Sequence, residues 1–112
     1  MKKKNIIKSK KEFTEIINNC KYLKNDYYVI YYKKNNKNTR YGISIPTKTG
    51  KANIRNKIKR RIKNIIDNNK NIIPKHHDYV IISRKRLLEL NYQDMETNLV
   101  NLIKKIGEKN EE

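Results

Sequence analysis

The chain has 112 residues, enough for one domain with a modest hydrophobic core. Its 28 Lys and Arg against 11 Asp and Glu give a formal net charge of +17, which favours a polyanionic partner such as nucleic acid or an anionic membrane surface. A single Cys excludes an internal disulfide and a thiolate zinc cluster and fits a cytoplasmic setting, and the apolar runs are far shorter than the ~20 residues of a membrane-spanning helix. We expect one domain over residues 9–107, with a flexible basic arm at 1–8 and a polar tail at 108–112.

The first predicted element is a short helix. The residues before it resemble the start of a signal peptide, but lysines rather than an apolar region follow Ile6 and Ile7. Ser9 and Glu12 have the Ser-x-x-Glu spacing of a capping box, which satisfies free N–H groups at a helix start. Apolar residues then follow at helical spacing, which predicts a helix that ends near Asn19.

Two strands are predicted after this helix. Residues 26–34 are rich in aromatic and β-branched side chains, which favour a half-buried strand. Residues 35–38 are polar and predict a turn. The extended pattern resumes over 40–45 and ends at Pro46, because proline lacks a backbone donor. These strands are therefore predicted to pair as a hairpin, with a flexible connection at 47–50.

The second half of the chain predicts a helix, a strand and a helix. Residues 51–69 lack Gly and Pro and repeat Ile at helical intervals, so we predict a long helix there. Residues 79–83 predict a buried strand, and Asn91 is a typical N-cap for a last helix that Gly107 ends. The order of elements predicts an α+β fold, a two-layer sandwich with a single central sheet and about three helices.

The long helix separates into an apolar face and a basic face when each residue is turned about 100° around the axis. The isoleucines gather on one side and should face the sheet: Ile54, Ile58, Ile62, Ile65 and Ile66. No acid lies between Lys51 and Ile66, although like charges at helical spacing repel one another. A merely solvated helix usually mixes Glu with Lys, so the basic face predicts a partner whose phosphates supply the counter-charge.

Several stretches of the chain resemble the bacterial ribonuclease P protein family. The hallmark of that family, an Arg-Asn-(Arg/Lys)-x-Lys-Arg helix, is similar to Arg55-Asn56-Lys57-Ile58-Lys59-Arg60. The strand Arg40-Tyr-Gly-Ile-Ser44 and the loop 48–52 before that helix are also similar. The resemblance extends in register to Glu12-Phe13, to the aromatic strand at 28–31 and to residues 78–84, so only the two ends lie outside it.

Membership of that family would imply the protein component of an RNA–protein enzyme, whose RNA subunit cleaves the 5′ leader from precursor tRNA with bound Mg²⁺. The implied partners are ribonuclease P RNA and precursor tRNA, with one protein for each RNA and with neither DNA nor a membrane. The protein would hold no catalytic residue and no metal site of its own. The implied fold contains a left-handed β-α-β crossover, as in one ribosomal-protein domain.

The resemblance also implies two RNA-contacting regions. A cleft for the single-stranded leader, between the first helix and the sheet, would contain Phe13, Ile17, Tyr31 and Ser44. The region that faces the RNA subunit would contain Lys48, Lys51, Arg55, Asn56, Lys57, Lys59, Arg60 and Lys63. Helical spacing alone would instead make Phe13 a core residue. Ile17 and Pro46-Thr47-Lys48 depart from the family pattern, which often has an aromatic residue and a Ser-Lys-Lys run at these places.

Three alternatives belong to other classes. His76 and His77 could serve a protein-only nuclease or bind a metal, but adjacent residues seldom aim at one phosphate, and no Cys lies near them in sequence. A membrane-active cationic protein would lack a tertiary core, which the predicted strands argue against. A ribosomal or other structural RNA-binding protein would share the charge and fold class, and the Arg55–Arg60 motif argues against it.

Overall fold

The structure, a computed structural model, describes residues 5–7, 9–19 and 21–110. Its helices and strands are α1 (Lys10–Asn19), β1 (Lys21–Lys24), β2 (Tyr28–Lys34), β3 (Arg40–Ser44), α2 (Ala52–Asn68), β4 (His77–Ser83) and α3 (Tyr92–Asn110). Short 3-10 helices, Thr47–Thr49 and Lys85–Glu89, precede α2 and α3. The predicted α+β class is confirmed. Within the described part of the chain, no helix combines the length and apolar character needed to cross a bilayer.

The strands form one mixed sheet in the order β1-β2-β4-β3. β2 pairs antiparallel with both β1 and β4, whereas β3 pairs parallel with β4, so α2 is the crossover of a β-α-β unit. The predicted hairpin of 26–34 with 40–45 is wrong, because β4 lies between these strands. The hairpin partner of β2 is β1, a strand whose four residues are too few to show a clear alternation. The left-handed sense of the crossover stays a prediction.

One face of the sheet packs against α2 and α3 and encloses the main core. Alternate residues of β2 and β4 point into it: Tyr28, Ile30, Tyr32, Tyr79 and Ile81. Four isoleucines of α2 are buried against them, as predicted: Ile58, Ile62, Ile65 and Ile66. Ile54 was expected to join them but is 39% exposed, because it lies at the start of the helix over the backbone of Gly50. The buried isoleucines fix the rotation of α2 and so decide which side faces solvent.

The opposite face of the sheet is covered in part by α1. Successive residues of a strand point to opposite faces, so Tyr31 and Val80 lie on this side. Ile16 of α1 and Ile7 are buried against Val80 in a second, smaller cluster. α1 therefore adds a partial third layer to the predicted sandwich.

Residues at both ends of the chain contact the rest of the fold. Ile6 forms an isolated parallel bridge with Tyr41, and the Ile7 N–H donates to the Tyr41 carbonyl at 2.8 Å, so these two residues of the predicted arm lie against the β3 edge of the sheet. α3 continues past Gly107, where a Cβ would lie 3.0 Å from the Pro74 ring. Gly107 therefore permits close packing and does not end the helix. Residues 1–4, 8 and 111–112 of the predicted arm and tail lie outside the described residues.

The predicted helix caps are present. The N–H of Glu12 donates to the Ser9 hydroxyl at 3.5 Å, and the N–H of Asp94 donates to the Asn91 side chain at 2.8 Å. The carboxylate of Glu12 has a second role, because it forms an ion pair of 2.7 Å with Arg40 of β3. This ion pair ties the start of α1 to the edge of the sheet.

Arg40 also holds a buried carboxylate. Two guanidinium nitrogens of Arg40 donate to Asp78 at 3.0 and 2.9 Å, and Asn35 donates to it at 2.7 Å. Burial alone would raise the pKa of Asp78, but the hydrogen bonds from Arg40 and Asn35 and the charges of Arg40 and Lys33 outweigh it and lower the pKa. Because the Asp78 side chain is only 2% exposed, this network should stabilise the ionised carboxylate.

We expect Asp78→Asn to lower the free energy of unfolding by about 2 kcal/mol at neutral pH, since it removes charged hydrogen bonds without changing the side-chain size. A lowered folded pKa gives stability that is present above the ordinary value, about 4, and is lost as the pH falls through the folded value. Urea unfolding should therefore show a difference between parent and Asp78→Asn that shrinks in acid. A difference that is the same in acid and at neutral pH would contradict this role for Asp78.

Candidate nucleic-acid interface

The solvent side of α2 carries the basic face that the sequence predicts. Asn56, Lys57, Lys59 and Arg60 are exposed, and Lys63 is half-buried. Among the described residues, the ion pairs involve other cations and none from this face. The positive charge of the face is therefore available to a partner.

Part of this face forms a shallow depression of about 570 Å³. The residues that line it are Asn53, Asn56, Lys59, Arg60 and Lys63. Lys and Arg supply only donors, and the two amides add donors and acceptors. Such a lining suits phosphate and ribose oxygens, whose contacts position a nucleic acid without reading its sequence.

The start of α2 brings further cations close to the end of β3. Lys48, in the 3-10 helix, and Lys51, the N-cap residue, are exposed. Arg55 is half-buried, and its Nε donates to the Gly50 carbonyl at 3.1 Å. Arg55 therefore also shapes the loop before α2, a structural role that the motif did not reveal.

A second surface, the α1 cleft, lies between α1 and the sheet. Phe13, Tyr31 and Ile82 are half-buried against the small cluster around Val80. Ser44 is half-buried on the same side of β3, two residues beyond Gly42, whereas Ile17 of α1 is 36% exposed. The structure thus brings Phe13 and Tyr31 into one apolar cluster and places Ser44 on the same side of the sheet.

Phe13 packs against the sheet, as a core residue would, and it also lines the α1 cleft. A Cβ on Gly42 would lie 2.5 Å from Cζ of the Phe13 ring, so the ring sits directly on the backbone of β3. The ring is nevertheless only half-buried and leaves apolar surface to the cleft. Because Gly42 has no Cβ, the Phe13 ring can pack directly against the backbone of β3.

We expect Gly42→Ala to displace the Phe13 ring and to lower the free energy of unfolding by at least about 1 kcal/mol, because a Cβ at this distance overpacks the contact. Thermal unfolding of the variant measures this loss. The double variant Gly42→Ala with Phe13→Leu should recover part of it, since the smaller side chain frees the space. No recovery would show that the strain arises elsewhere.

Tyr22 is a residue of this surface that the sequence analysis missed. It lies opposite Tyr31 in the β1–β2 pairing, with ring centroids 5.3 Å apart and planes inclined by 39°. The Tyr22 residue is 52% exposed. Because β1 was not predicted, nothing in the sequence placed Tyr22 beside Tyr31.

The adjacent histidines lie in different environments. His76, at φ 61°, donates its N–H to the Thr39 hydroxyl at 2.8 Å, and its Nδ1 lies 2.8 Å from the Lys37 carbonyl oxygen. His77 is buried and stacks on Tyr79 at 5.5 Å between centroids. In the part of the chain that the structure describes, no group of three or more His, Cys, Asp or Glu could hold a metal ion.

Comparisons with known proteins agree with this geometry. The family model Ribonuclease P matches residues 1–107. The chain is 44% identical to the ribonuclease P protein component of Mycoplasma mycoides over 108 residues, covering 95% of this chain and 99% of the relative. It is 42% identical to the same component of Streptococcus agalactiae, again over 108 residues, covering 96% and 98%.

Solved structures of similar proteins share the fold. The RNase P protein of Thermotoga maritima matches with a TM-score of 0.84 and 36% identity, over 88% of this chain and 94% of that chain. The RNase P protein of Staphylococcus aureus matches with a TM-score of 0.84 and 28% identity, over 91% and 94%. The arrangement of one mixed sheet with three helices is thus common to these proteins and to this chain.

Proposed function

Because this chain belongs to the ribonuclease P protein family, we propose that it is the protein component of a ribonuclease P holoenzyme that processes the 5′ end of precursor tRNA. The observation that carries this function is the largely exposed basic face of α2, which contains no acid, together with a separate apolar cleft between α1 and the other face of the sheet. The alternative of a ribosomal or other structural RNA-binding protein is not favoured, since the relatives are ribonuclease P components over nearly their full length.

The basic face is the surface proposed to bind the RNA subunit. Lys59, Arg60 and Lys63 surround a depression that fits phosphate oxygens, and Arg can contact a phosphate through two parallel hydrogen bonds. The proposed RNA-binding surface continues around the start of α2 through Lys48, Lys51, Arg55, Asn56 and Lys57. Binding would release counterions from the RNA, so the affinity should fall steeply as salt rises.

The α1 cleft is the surface proposed to hold the 5′ leader. Phe13, Ile17, Tyr31 and Ser44 give it aromatic, aliphatic and hydroxyl groups but no set of donors arranged to read base edges. Stacking of aromatic rings on unpaired bases tolerates any sequence. β3 ends at Ser44 and leads through Thr47–Thr49 into α2, so the chain itself links the cleft to the basic face.

We further propose that the RNA subunit performs the chemistry. The phosphate oxygens of the RNA are hard ligands of the kind that Mg²⁺ binds, so we place Mg²⁺ on the RNA. When bound there, Mg²⁺ would supply an activated water and stabilise the leaving oxygen. The residues of the protein bind and position the RNA. We also propose one protein for each RNA, since the protein has one basic face and one α1 cleft among its described residues. The proposed site of action is the cytoplasm, without DNA or membrane partners.

The protein alone should not cleave precursor tRNA, whereas addition of a bacterial ribonuclease P RNA and Mg²⁺ should give cleavage at the mature 5′ end. The reason is that the protein has RNA-binding surfaces but no proposed acid–base pair. Gel analysis of end-labelled precursor tRNA measures both reactions. Cleavage at the correct site with turnover by the protein alone, after nuclease controls, would overturn the proposal of RNA catalysis. A holoenzyme with no more activity than the RNA alone would overturn the proposed function.

A further inference from the structure

The α1 side of the sheet does not end at Tyr31. β1 continues the sheet by one strand, and Tyr22 stands directly opposite Tyr31 on the same side. The 39° inclination between the two rings means that they do not stack fully on each other. Because Tyr22 is 52% exposed, aromatic surface remains open next to the α1 cleft.

Cations accompany this ring on the same side of the sheet. Lys24 follows Tyr22 by two residues on β1, and Lys33 follows Tyr31 by two residues on β2, so each shares the face of its tyrosine. Both lysines are exposed. The charge of Lys33 also acts on the carboxylate of Asp78. Lys24 is the cation of β1 on this face, and it forms no ion pair among the described residues. An open aromatic ring beside a cation is the combination that binds single-stranded nucleic acid, through base stacking and phosphate attraction.

We propose that Tyr22 and Lys24 form an additional nucleotide subsite, in which one further base of a single-stranded RNA stacks on Tyr22 while Lys24 attracts its phosphate. This inference rests on the proposed function, because it extends the leader path from the α1 cleft to the edge of the sheet. The occupant is RNA rather than an apolar peptide, since the ring is flanked by lysines in a chain of net charge +17.

The strand order fixes where this subsite lies along the path. Ser44 is on β3, next to the start of α2, and the sheet then continues through β4 and β2 to β1. Tyr22 is therefore on the strand furthest from the basic face. The proposed function places the RNA subunit, which performs the cleavage, against the basic face. The base that Tyr22 binds should therefore be the one furthest from the cleavage site among the leader bases that the protein contacts.

The test uses the assembled enzyme and a series of precursor tRNAs whose leaders lengthen by one nucleotide at a time. In the parent enzyme, affinity should rise with leader length until the last subsite is filled. Tyr22→Thr keeps a residue that favours strands. This variant should lose the last increase in affinity with leader length and should bind long-leader precursors at least about fivefold more weakly. Tyr22→Phe should retain that rise, because stacking needs the ring and not the hydroxyl.

Two further variants control for the fold. Tyr22→Leu keeps apolar contact with Tyr31 and should behave as Tyr22→Thr does if the ring is what matters. Leu88→Thr removes another exposed apolar side chain, 46% exposed on Lys85–Glu89, and should bind the whole series as the parent does. Thermal unfolding of every variant should match the parent.

The outcomes separate the inference from the proposed function. If the affinity of the parent increases with leader length by the same amount as the affinities of Tyr22→Thr and Tyr22→Leu, the subsite is absent and the proposed function stands. A loss that extends equally to mature tRNA would place the effect in the fold or in assembly and would also overturn the subsite. If the affinity of the parent does not depend on the leader at all, both the leader-binding function and the subsite fail.

Discussion

Replacement of Lys59, Arg60 and Lys63 together by Gln should weaken binding to ribonuclease P RNA by roughly 100-fold or more at moderate salt, because charge-assisted hydrogen bonds are lost at three positions. The slope of log K against log salt should also flatten by roughly 0.7 to 0.9 for each lost phosphate contact. Filter binding over a range of salt concentrations measures both quantities. The fold should survive, because these side chains lie outside the main core.

A matched control removes the same charge from another part of the surface. Lys85, Lys104 and Lys105 are exposed and lie outside α2, so their triple replacement by Gln changes the net charge equally. This control should bind with nearly the parental affinity and salt slope. If the two triple variants lose affinity to the same extent, net charge rather than the basic face accounts for binding.

Single alanine variants of the motif should differ from one another. Arg60→Ala removes an exposed cation from the depression, so its effect should be confined to RNA binding. Arg55→Ala also removes the hydrogen bond to the Gly50 carbonyl, so it can shift the loop before α2 as well. The sequence motif treats the two arginines as equivalent, whereas their hydrogen bonds distinguish them.

The sequence predicted those parts of the fold that depend on local patterns. The isoleucine repeat identified α2 and its buried side, and the caps at Ser9 and Asn91 placed the starts of α1 and α3. Strand pairing depends on contacts between distant residues, so adjacency along the chain wrongly suggested a hairpin of β2 with β3. Gly107 was misjudged for the same reason, because its packing partner Pro74 belongs to another part of the chain.

The candidate site was predicted to a different extent in its two parts. The basic face follows from helical geometry alone, since one helix supplies most of its residues. The α1 cleft is assembled from α1 and several strands, and without the resemblance Phe13 would have been assigned to the core. Tyr22 could not be found, because its position depends on β1 pairing with β2.

Tyr31→Leu should weaken binding of precursor tRNA to the assembled enzyme by about fivefold to 150-fold, because stacking on a base contributes roughly 1 to 3 kcal/mol. Leu keeps apolar contact with the cluster around Val80, so the variant should still fold. Tyr31→Phe retains the ring and should bind as the parent does. Equilibrium binding of precursor and mature tRNA measures the effect.

Mature tRNA lacks the leader, so the affinity of the variant for mature tRNA distinguishes leader binding by Tyr31 from a structural role. If Tyr31 stacks on a leader base, Tyr31→Leu should leave the affinity for mature tRNA nearly unchanged. Tyr31 is also half-buried and in contact with Tyr22, so a purely structural role would lower the melting temperature and weaken both tRNAs together. A variant that melts as the parent does and preserves the parental ratio of precursor to mature affinity would show that Tyr31 does not contact the leader.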